Sequence, residues 1–83
     1  MDTQQDVLQI LDEVLGLKGA TRAMGAQTPL LGAIPELDSM AVLTVLTTLE
    51  ERFGFTVADD EIDGSTFATV GSLTEFVKAK IDA

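Results

Sequence analysis

Ser39 follows Asp38 in the stretch Glu36-Leu37-Asp38-Ser39-Met40. A serine beside an acid can bear a covalent group through its hydroxyl, or it can do no more than help start a helix, where Asp and Ser are among the commonest residues. The rest of the composition narrows the chemistry. The chain has no His and no Cys, which removes Ser-His-Asp and Cys-His nucleophile systems, thiolate and imidazole metal sites, and redox dithiols. A self-sufficient enzyme is therefore not expected. Ser65 and Ser72 lack the Asp-Ser setting.

Two groups of carboxylates invite a stronger reading than they support. Asp59-Asp60-Glu61-Ile62-Asp63-Gly64 imitates the first half of a calcium loop, with acids at positions one, three and five and Gly at six. Position twelve holds Val70 where a bidentate carboxylate is required, so a solvated acidic turn is expected and no metal site. Glu50 and Glu51 form an acidic pair, but adjacent residues diverge on a helix and do not converge on one proton.

The elements that must position these residues follow from periodicity. Thr3 with Asp6 three residues on has the form of an N-cap. Val7, Leu8, Leu11, Val14 and Leu15 then recur at intervals of three and four before Gly16 and Gly19, which predicts a first helix over residues 4–17. Residues 18–37 carry Gly19, Gly25, Pro29, Gly32 and Pro35 without a period, which predicts a loop. Loops of that length in a compact domain need a function or a packing role, and Leu30, Leu31 and Ile34 predict that this one packs on the helices.

β-Branched residues crowd 39–53, yet Val42, Val45, Leu46, Leu49 and Phe53 fall on one face at about 100° per residue, which predicts a second helix there. Met40 and Leu43 lie off that face and are expected to be exposed; the alternative for Leu43 is packing beneath the loop against Leu30 or Leu31. A short acidic helix or turn is predicted over 59–64. Thr69 caps a last helix over 70–82, with Val70, Leu73, Val77 and Ile81 on its stripe and Lys78 and Lys80 near its negative end.

At 83 residues, with 46% hydrophobic and 23% charged content, the chain has room for one thin core and is too apolar for a disordered tail. The expected solution is all-α, a bundle of three main helices and one short one forming a single unit over 1–83. The net charge of −9 repels nucleic acid and anionic lipid and favours a protein partner with a basic patch. No apolar run reaches 18 residues and MDTQQDV lacks the features of a signal peptide, so the expectation is a cytoplasmic monomer with no membrane segment.

Taken in order and spacing, several segments resemble the acyl carrier protein family over nearly the whole chain. Asp38-Ser39-Met40 is similar to its Asp-Ser-Leu motif with Met for Leu, and Glu50-Glu51-Arg52-Phe53 to the Glu-Glu-x-Phe close of its second helix. Phe55-Thr56-Val57-Ala58-Asp59-Asp60-Glu61 is similar to its apolar-then-acidic approach to helix three, with Ala58 where Pro is common, and Thr69-Val70 to the start of its fourth helix. The long loop between helices one and two belongs to the same pattern.

The resemblance implies an acyl-carrier-like four-helix bundle that carries acyl groups as thioesters on 4′-phosphopantetheine. The cofactor would be transferred from coenzyme A to Ser39 by a Mg²⁺-dependent phosphopantetheinyl transferase, with Asp38 as part of the motif. It implies further partners: an acyl-loading ligase or acyltransferase and downstream synthase enzymes, met by Met40, Leu43, Glu36, Glu50 and Glu51. One departure bears on partners. Met40 to Leu49 contains no acid, and Ala41 and Thr44 stand where carriers of fatty-acid synthesis usually bear one. A specialised pathway of polyketide-like, nonribosomal or exopolysaccharide-associated acyl transfer fits better than the housekeeping one. The alternatives are a peptidyl or aminoacyl carrier, and a non-carrier acidic helical adaptor in which Ser39 is only part of a cap.

Overall fold

The computed structural model describes residues 3–82, with backbone alone at Asp59. Its order is α1 (Thr3–Leu15), a 3₁₀ turn (Ala20–Ala23), α2 (Ser39–Phe53), a second 3₁₀ turn (Asp59–Glu61) and α3 (Val70–Asp82). The fold is all-α, as the periodicity implied. α1 packs against both α2 and α3 and is the centre of the bundle. Val7, Ile10 and Leu11 of α1, Val45 and Leu49 of α2, and Val70, Leu73 and Val77 of α3 are completely buried in one core. Among the described residues, no helix is long and apolar enough to cross a membrane.

Several boundaries move from their predicted places. Thr3 is the first residue of α1 rather than its cap, and the cap position falls on residue 2, outside the described residues. α1 stops two residues short of 17 because Gly16 takes a left-handed conformation (φ 65°) while its N–H still bonds the Asp12 carbonyl at 2.9 Å. The predicted short helix over 59–64 contracts to three residues, since the Asp63 side chain organises the chain beyond it into a separate turn. Ile81 ends the α3 stripe in solvent.

The long loop is a packed element. Asp12 Oδ2 accepts the Gly19 N–H (2.9 Å) and the hydroxyl of buried Thr21 (3.0 Å), which fastens the first 3₁₀ turn to α1. Farther on, Leu30 N–H bonds Ala68 O and Leu31 N–H bonds Phe67 O, beside an isolated antiparallel bridge between Pro29 and Thr69. Leu30 and Leu37 enter the core and Ile34 packs at its edge, but Leu31, expected to pack down, is exposed. At the start of α3 the loop accepts N–H groups that the helix cannot satisfy itself: Val70 N–H bonds Thr28 O and Gly71 N–H bonds Ala26 O. Thr69 and Ser72 complete that end as a reciprocal capping box, each hydroxyl accepting the other's N–H at 3.0 Å.

Candidate functional site

Asp38 is the N-cap of α2, in extended conformation, and its Oδ1 accepts the Ala41 N–H at 2.8 Å. Ser39 is thereby released from capping. It is the first helical residue, exposed, and its hydroxyl has no hydrogen-bond partner among the described residues. The other two serines are committed. Ser65 bonds the Asp63 carboxylate through both its N–H and its hydroxyl. Ser72 Oγ donates to Thr66 O and Thr69 O and accepts from Thr69 N–H.

The surroundings suit an anionic group on that hydroxyl. The first-turn N–H groups of Ser39 and Met40 have no intrahelical acceptor, and they lie at the positive end of a 15-residue helix. Met40 follows at 77% exposure and Leu43 at 64%, so the packing of Leu43 beneath the loop does not occur. Val45, Leu46 and Leu49 take the buried side of α2, while Val42 and Phe53 pack at its edge. Thr44, Thr47 and Thr48 return their hydroxyls to carbonyls four residues back, so three β-branched residues sit in a helix with their polar groups satisfied.

The predicted acids do not form one set. Glu36, Asp38 and Glu51 are exposed. Glu50 is half-buried, and its Oε2 accepts the Val57 N–H at 2.7 Å, an internal role that the sequence reading did not foresee. Val57 and Ile62 face Val42, Leu43 and Leu46 across a groove of about 310 Å³ beside α2. Beyond the groove, the Lys80 ammonium bonds Glu61 at 2.7 Å and holds its carboxyl below the usual range, and hydrogen bonds led by the Ser65 hydroxyl do the same for Asp63. Among the described residues no acidic group is arranged to hold a metal ion.

A small helical bundle that leaves one serine hydroxyl uncommitted in solvent at a helix start has the form of a carrier domain. Residues 5–77 match the family profile described as a phosphopantetheine attachment site. The chain is 33% identical over 72 residues to acyl carrier protein AsbD of Bacillus anthracis, a span covering 87% of this chain and 77% of that protein. Its structure is similar to the solution structure of a holo acyl carrier protein from Nitrosomonas europaea, with a TM-score of 0.92 and 49% identity over 100% of both chains. The chain belongs to the acyl carrier protein family, and its cofactor is covalently attached 4′-phosphopantetheine.

Proposed function

We propose that Ser39 bears the 4′-phosphopantetheine and that the protein carries acyl intermediates for a specialised pathway rather than for housekeeping fatty-acid synthesis. The observation that carries the attachment reading is the contrast among the three serines, of which only Ser39 has an uncommitted, exposed hydroxyl. When bound, the cofactor supplies a thiol on which acyl groups are held as thioesters.

In the attachment step the Ser39 oxygen forms a bond to the β-phosphorus of coenzyme A, and the bond from that phosphorus to the adenosine 3′,5′-bisphosphate portion breaks. The hydroxyl proton goes to a base on the phosphopantetheinyl transferase, because the chain has no His and the neighbouring Asp38 oxygen is engaged by the Ala41 N–H. The α2 N-terminus favours the resulting phosphodiester through its N–H groups and dipole, while Asp38 opposes it in part.

The specialised role rests on the face of α2. No acid lies between Met40 and Leu49, so the surface beside Ser39 offers Met40 and Leu43 as apolar contacts, with exposed Glu36 and Asp38 at its near end and exposed Glu51 in the last turn of α2. Glu50 contributes less to that acidity, since one of its oxygens is held by Val57. Partners in this reading are the transferase, a loading ligase or acyltransferase, and synthase enzymes in the cytoplasm, meeting these acids with basic residues. The test is to compare the native holo protein with the Ala41→Glu/Thr44→Glu variant as substrates of a housekeeping fatty-acid malonyl transferase. Improved use of the variant supports the reading, and equal, efficient use of both contradicts it.

A further inference from the structure

Among the described residues, Met40 is the most exposed large apolar side chain, at 77%, and it adjoins Ser39 in the first turn of α2. It takes no part in the hydrophobic core. Met24, by contrast, is half-buried and packs against that core, and Met1 lies outside the described residues. A methionine at an exposed apolar position carries chemistry that a leucine there would not. Its thioether sulfur accepts an oxygen atom, and the sulfoxide that results is polar where the thioether was apolar.

We propose that Met40 is a reversible oxidation site that regulates access to Ser39. Hydrogen peroxide delivers one oxygen to the thioether: the S–O bond forms, the O–O bond breaks, the sulfur gives up two electrons and the second peroxide oxygen leaves as water. A dithiol-dependent sulfoxide reductase reverses the change, the dithiol becoming a disulfide and the sulfoxide oxygen leaving as water. The regulatory part of the proposal rests on the attachment reading of Ser39, whereas the oxidation of Met40 does not.

The change falls on recognition and spares the fold. Val45, Leu46 and Leu49 hold the buried side of α2, and the Met40 carbonyl accepts the Thr44 hydroxyl at 3.1 Å, a bond that oxidation of the side chain leaves in place. Because that hydroxyl already donates to its own helix, it is not spare to pair with a sulfoxide oxygen one turn away. An enzyme surface shaped to bury an apolar side chain beside Ser39 must then desolvate the new oxygen without a donor for it.

The test uses the unmodified full chain, in which there is no cofactor thiol to oxidise, treated with limiting hydrogen peroxide that is then removed by catalase. Peptide mapping is expected to show the sulfoxide of Met40 forming at least about threefold faster than that of Met24, with the melting temperature unchanged. The rate of modification by a phosphopantetheinyl transferase is expected to fall at least about fivefold, the low end of the cost of burying an unpaired polar group, and to recover after reductase treatment. Treatment is expected not to change the rate of Met40→Leu, whatever its starting value, while Met24→Leu keeps the loss seen in the native chain. Oxidation of Met24 ahead of Met40, a loss that persists in Met40→Leu, a loss explained by a lowered melting temperature, or equal rates before and after treatment overturns the proposal. An untreated chain that the transferase leaves unmodified contradicts attachment at Ser39 and removes the regulatory part with it, while the mapping still decides whether Met40 is the oxidation site.

Discussion

Ser39 owes its free hydroxyl to its neighbour. Because Asp38 takes the capping position and binds the Ala41 N–H, the serine sits one residue inside the helix with nothing to hold. Asp38→Ala is expected to lower stability by about 0.5–2 kcal/mol through the lost cap, measurable in denaturant melts, while leaving the hydroxyl exposed. Leu43 and Leu46 separate contact from packing. Leu43→Ala, at 64% exposure, is expected to leave the melting temperature nearly unchanged and to weaken loading, whereas Leu46→Ala, at 7%, should cost about 2–5 kcal/mol. Large destabilisation by Leu43→Ala with normal loading of the folded fraction would remove Leu43 from the contact surface. The start of α2 at Asp38-Ser39 was legible because a cap is local chemistry, written within four residues. The turn of Glu50 inward was not, since its acceptor role depends on Val57 returning over α2.

At the scale of elements, the three helices were legible because their apolar spacing repeats through several turns. The loop's second anchorage was hidden, since the pairing of Thr28 to Leu31 with Phe67 to Val70 joins segments far apart in sequence with no shared period. Gly71 is the residue where this anchorage is tightest: a Cβ there would lie 2.8 Å from the Ala26 carbonyl oxygen. Gly71→Ala is expected to destabilise by about 1–3 kcal/mol in spite of alanine's better helix propensity, and a stabilised variant would show that the loop gives way freely. The Asp63 turn carries a pH signature. Its carboxyl is held below the usual 3.8 by Ser65 and Thr66, so its contribution is present above 3.8 and is lost as pH falls through the lower folded value. Melts of native protein and Asp63→Asn are expected to differ at neutral pH and to converge as the pH falls below 3.8; a gap that widens on acidification has the wrong sign.

For the whole molecule, charge is the dominant long-range term. Residues 36–63 hold eight acids (Glu36, Asp38, Glu50, Glu51, Asp59, Asp60, Glu61, Asp63) against Arg52 alone. Arg52 is paired with Glu13 across to α1 and Lys80 with Glu61, and the net charge is −9 with both pairs already counted. The melting temperature is expected to rise with ionic strength and with Mg²⁺, and a flat or falling curve would count against self-repulsion.

The proposed attachment at Ser39 makes one hydroxyl the recipient of the group on which the carrier's cargo rides. Intact-protein mass spectrometry after incubation with coenzyme A, Mg²⁺ and a broad-specificity phosphopantetheinyl transferase tests this directly. The native chain, Ser65→Ala and Ser72→Ala should each gain a single phosphopantetheine, while folded Ser39→Ala should gain none. Modification of Ser39→Ala, or a native chain left unmodified by a transferase active on a control carrier, would contradict the assignment.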